Sequence, residues 1–178
     1  MFLSGEGQMK LDDEIIPVVA GDAIYIPPHV KHQMLNPSDE WLVHLLVQGN
    51  NLEPALPKQP VTTRNWIPAW DRLVLRSPPK ATTYPIFAPA GAGEHDCLHG
   101  LVDTSFAALP AETELLHTAD GGSGTLMYCT SGSGSASSGG SEGVALREGD
   151  SLHLPAGEAC RIVAAEGGST LELLLFSA

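Results

Sequence analysis

"GDAIYIPPHVKHQMLN" occupies residues 21–36 and decides how the rest of the chain is read. Gly21-Asp22 is a turn pair: glycine reaches backbone conformations closed to other residues, and aspartate bonds nearby amides. The β-branched and aromatic run Ala23–Ile26 then reads as a short strand. Pro27 and Pro28 stop it, because proline has no amide hydrogen to give to a ladder. His32 opens the returning strand. In a small barrel alternate side chains face inward, so His32 shares its face with Met34. An imidazole in that position suits a transition metal, since a neutral ring nitrogen is a good ligand.

The same punctuation recurs along the chain. "QMKL", "IIPVV", "AIYI", "HQML" and "WLVHLLV" are each bounded by Gly, Pro, Asn or Asp, and no long segment keeps apolar residues at helical spacing. With 19 glycines, 14 prolines and 43% hydrophobic residues in 178, the composition predicts an all-β sandwich or barrel with a sizeable core. The net charge of −12, with only nine Lys and Arg, argues against nucleic acid and anionic membranes as partners. No apolar run is long enough to span a bilayer. The opening residues "MFLSGEGQMK" show no charged leader followed by an apolar stretch, so no signal peptide is expected. Cys97, Cys129 and Cys160 are odd in number and widely spaced, which fits a reducing, cytoplasmic setting better than a disulfide framework.

Two copies of one pattern are present. "LSGEGQM" at 3–9 returns as "TSGSGSA" at 130–136, an offset of 127; "AGDAIYIPPHVKH" at 20–32 returns as "EGDSLHLPAGEAC" at 148–160, an offset of 128. "LVHLLVQ" at 42–48 aligns with "TLELLLF" at 170–176, again 128. The Ser/Gly tract "SGSGSASSGGSEG" therefore reads as a hairpin rather than a linker. The expected organisation is residues 1–49 as part of a first barrel, 50–83 as a Pro-rich connection, and 84–178 as a second barrel. Trp66 and Trp70 in the connection are expected to pack against a barrel. Copy two begins near Thr83 and 83 − 128 = −45, so the matching start of copy one is expected upstream of Met1.

These residues resemble the cupins. Their second motif reads G-x5-P-x-G-x2-H-x3-N; Gly21, Pro27, His32 and Asn36 fall on it, with His29 where the family usually has glycine. Copy two gives Gly149, Pro155 and Gly157, with Cys160 at the histidine position and no asparagine. The resemblance implies tandem jelly-roll barrels, a bicupin, with the first incomplete at its N-terminus. It also implies a divalent transition metal (Fe, Mn, Ni, Cu or Zn) in an intact first barrel, with His32 as one ligand. The other ligands of the family come from a first motif, G-x5-H-x-H-x3-4-E-x6-G. Gly5 matches its last glycine, which puts the remaining three positions before Met1. In copy two, with Gly132 as the closing glycine, His117 takes the first histidine position, Ala119 the second, and Thr125 the glutamate. His117, Thr125 and Cys160 are thus a vestigial set, and the second barrel is expected to be metal-free.

Other candidates carry less. His44 is expected either in the core or, with Met34, in the pocket beside His32. His29 and His153 belong to turns. His95, Asp96, Cys97 and His99 crowd into five positions without the spacing of a structural metal site. No nucleophile elbow, phosphate loop or dinucleotide glycine pattern is present. Two functions stand: a non-catalytic barrel that binds a small molecule, and a metal-dependent oxygenase, isomerase or lyase completed by upstream ligands. An opened barrel exposes strand edges, so a homodimer is expected.

Overall fold

The structure is a computed structural model that describes residues 1–26, 29–47, 66–67, 80–89, 96–98, 103–119, 122 and 124–177. The described residues form strands, turns and loops, with no helix among them. Internal contacts divide the chain into two compact units, Met1–Leu73 with Phe87–Gly100, and Val74–Ile86 with Leu101–Ala178. The expected connection at 50–83 lies mostly outside the described residues.

The first unit contains β1 (Phe2–Ser4), β2 (Glu6–Leu11), β3 (Glu14–Val19), β4 (Ala23–Ile24), β5 (His32–Leu35), β6 (Val43–His44) and β7 (Trp66–Ile67). Strand alternation sends Met9 and Leu11 of β2, and Ile16 and Val18 of β3, to one face, where they form a core with Phe2 and Val30. β3, β2 and β5 make an antiparallel sheet in that order; β1 pairs with β6, and β4 with β7. The Trp66–Ile67 backbone therefore joins the first unit, through Ala23↔Ile67 and Ile24↔Trp66. Trp70 lies outside the described residues.

Next come β8 (Thr82–Pro89), β9 (Asp96–Leu98), β10 (Asp103–Leu109), β11 (Glu114–Thr118) and β12 (Thr125–Ser131). The chain continues as β13 (Ser133–Ser138), β14 (Val144–Arg147), β15 (Ser151–Leu154), β16 (Ala159–Ala164) and β17 (Leu171–Ser177). In the second unit one sheet orders its strands β15-β12-β17-β10-β8, and a second orders them β11-β16-β13-β14. β9 runs parallel to the last residues of β8. Between the two larger sheets lies a core that includes Leu109, Met127, Cys129, Ile162, Leu171, Leu173 and Leu175. The Ser/Gly tract forms the expected hairpin: β13 pairs with β14, and the turn closes with Ser141 N–H donating to Ser138 O at 2.9 Å.

The internal repeat holds to the level of single hydrogen bonds. Asp22 in the first unit and Asp150 in the second build the same turn. Val19 N–H donates to Asp22 Oδ2 at 2.9 Å, and Arg147 N–H to Asp150 Oδ2 at 2.8 Å. Phe2 N–H donates to Asp22 O, and Cys129 N–H to Asp150 O, both at 2.9 Å. Gly5 and Gly132 have φ of 81° and 80°. A Cβ at either would collide with a carbonyl just before β6 or β17, that of Trp41 or of Thr170.

The register corrects one alignment. Phe2↔His44 and Ser4↔Val43 in β1–β6 match Cys129↔Leu173 and Ser131↔Glu172 in β12–β17, which is an offset of 129 for the last strand. His44 thus answers Leu173. The extra residue falls in the loop after β16, where the chain is free to lengthen.

Candidate functional site

β5 carries the candidate histidine, and its register with β2 shows where it points. Leu11 pairs with His32, and Met9 with Met34. Directly opposed residues of an antiparallel pair share a face. Leu11 and Met9 are core, so His32 and Met34 lie on the inner face of the first unit, with Met34 packed partly against that core. In the second unit the equivalent pair is Ser138↔Cys160, and Cys160 is buried.

His32 itself is exposed, against the expectation of an enclosed imidazole. The reason is the neighbour on its far side. In the second unit β16 is flanked by β11, whose His117 lies opposite Cys160. Among the described residues no strand flanks β5 in that way. Its Nδ1 lies 3.4 Å from Val30 O. His44 is also exposed; it sits opposite Phe2 at a ring separation of 6.0 Å, not within a closed core.

Two other motif residues have structural roles. Asn36 ties the loop after β5: its Nδ2 donates to Glu40 O at 2.7 Å, and its Oδ1 accepts from the Ser38 hydroxyl at 2.9 Å. His29 is exposed and holds φ of 64°, the left-handed conformation that Gly157 holds at 77° in the second unit. His153 is exposed on β15, opposite Leu126. Of the 95–99 cluster only the backbone of Asp96–Leu98 falls within the described residues.

The structure brings the second unit's set together. His117 Nε2 lies 3.0 Å from Thr125 Oγ1, and Thr125 Oγ1 lies 3.1 Å from Ser177 Oγ. Thr125 is fully buried, Cys160 is 2% exposed and Ser177 5%. Ser177 had no motif position to announce it; the β12–β17 register, Thr125↔Ser177, delivers it. Burial pushes the Cys160 thiol above its usual range. It pushes Cys129 up to about 11, with the carboxylates of Asp150, Glu148 and Glu172 adding to the effect. Both are protonated core thiols rather than nucleophiles.

Among the described residues, no three His, Cys, Asp or Glu side chains come together as a metal-binding group. His32 by itself is too few for a transition metal, which takes three or four protein ligands. In the second unit, hydroxyls stand where carboxylate is needed.

A cupin domain family model matches residues 1–48. The sequence matches no curated protein. Among solved structures, a point mutant of salicylate 1,2-dioxygenase from Pseudoaminobacter salicylatoxidans aligns with 99% of this chain at a TM-score of 0.69 and 18% identity. The chain has the bicupin fold. The same dioxygenase with gentisate adducts gives a TM-score of 0.68 at 16% identity, again over 99% of this chain. The chain spans 62% and 61% of those dioxygenase chains. At such identity the likeness carries the cupin fold and nothing of the chemistry.

Proposed function

We propose that this cupin-fold chain binds a small molecule on the inner face of its first unit, with the second unit as a scaffold. The observation that carries the reading is the register Leu11↔His32 and Met9↔Met34, which sets one imidazole at the rim of an apolar face. Apolar walls with a few placed polar groups are the usual make-up of a ligand site. The partner is a small metabolite, not nucleic acid or membrane. Among the described residues no helix is long and apolar enough to cross a bilayer. A cytoplasmic location and a homodimer joined at the open β5 edge belong to the same proposal.

The second reading is a metal-dependent oxygenase, isomerase or lyase in which His32 is one ligand and residues beyond this chain supply the others. The cupin domain match, which includes His32, favours it. Calorimetric titration with gentisate and salicylate, together with metal analysis of the purified protein, separates the two. Saturable binding weakened by about 1 kcal/mol in His32→Ala, without bound metal, supports the binding barrel. Stoichiometric iron or manganese lost in His32→Ala supports the enzyme. No binding and no metal would remove both.

A further inference from the structure

We propose that the second unit has exchanged the metal centre of its fold for a hydrogen-bonded clasp, His117–Thr125–Ser177, that fastens its two sheets together. His117 lies on β11, in the four-stranded sheet; Thr125 and Ser177 lie on β12 and β17, in the six-stranded one. The 3.0 Å contact between His117 Nε2 and Thr125 Oγ1 therefore crosses from sheet to sheet, and the 3.1 Å contact to Ser177 continues it along the second sheet.

The clasp and a cation compete for the same atom. If Nε2 carries a hydrogen and donates to Thr125, it has no lone pair for a metal. If it accepts from Thr125, its lone pair is already engaged. Thr125 is fully buried, so its hydroxyl has no water to fall back on and depends on these two partners. Leu154 lies opposite Thr125 on β15, and Ala119, 1% exposed, follows β11, so apolar groups stand beside the clasp. Cys160, directly across from His117, is a neutral buried thiol that adds bulk rather than charge. The same polar positions that once suited ligands now supply one another's hydrogen bonds. The inference does not depend on what the first unit binds.

The test is thermal melting of the full chain in a His32→Ala background, which removes the first unit's candidate ligand. Thr125→Val takes the Thr125 hydroxyl from a half-buried imidazole and from the buried Ser177 hydroxyl, and lowers the melting temperature by about 3–6 °C. Thr125→Ser, which keeps the hydroxyl, restores most of that loss. The His117 ring-nitrogen resonances shift in Thr125→Val and stay near wild type in Thr125→Ser. EDTA and cobalt leave the melting temperature unchanged. If Thr125→Val does not fold, Ser177→Ala, which removes one bond, carries the comparison with a smaller drop. An unchanged melting temperature and unshifted His117 resonances in Thr125→Val, or in Ser177→Ala where it stands in, would overturn the clasp. So would stoichiometric cobalt with a thiolate absorption band that disappears in Cys160→Ser.

Discussion

His29 and Gly157 occupy the same turn in the two units and the same left-handed backbone region, at φ of 64° and 77°. A side chain there costs about 1–2 kcal/mol, whereas glycine returns about 0.5–1 kcal/mol of that through its larger unfolded-state entropy. His29→Gly is therefore expected to stabilise the protein by about 0.5–1 kcal/mol, a rise of about 1–4 °C in a melting scan. Gly157→Ala should fall by a similar amount; a rise there would contradict the assignment. The motif histidine one turn later teaches a different lesson. His32 and Cys160 are equivalent by sequence offset and by register, yet one is exposed and the other 2% exposed. Residue identity named the position, while the neighbouring strand set its burial.

Among the elements, β3 and β5 are the two edges of the first unit's three-stranded sheet, and they are protected unequally. β3 carries Pro17 at its middle, opposite Gln8, between Ile15 at 52% exposure and Val19 at 46%. A proline in an edge strand withholds an amide and blunts pairing with other chains. Pro17→Val would leave the run Ile-Ile-Val-Val-Val at that edge, a pattern prone to strand addition. Faster aggregation on warming, followed by light scattering, is the expected result; an unchanged onset temperature would show that the edge is guarded by something else. The strands themselves were legible, because alternation and Gly/Pro punctuation are local signals. The offset of the last strand was not: a one-residue loop insertion leaves no local mark, and only pairing reveals it.

For the whole molecule, the repeat makes one prediction that no single strand does. Every strand from β12 to β17 has a counterpart in the first unit, while β11, which flanks β16, has none among the described residues. Among the described residues β5 has no strand on its far edge, and it carries His32, Gln33, Met34 and Leu35, with no acidic residue to repel a second copy. The proposed homodimer follows: multi-angle scattering should give twice the 18.7 kDa of one chain at micromolar concentration. A single-chain mass under those conditions would end the proposal.

By itself the sequence determined the all-β class, the duplication, the turn at Gly21-Asp22, and the candidate positions His32, His117, Thr125 and Cys160. These are fixed by short-range preferences and by spacing, which a linear string displays in full. The tertiary structure alone decided that His32 stands open at an edge, that His44 lies beside Phe2, and that Ser177 completes a chain with Thr125 and His117. Those facts depend on which strands lie side by side, and strand pairing joins residues as far apart as 125 and 177.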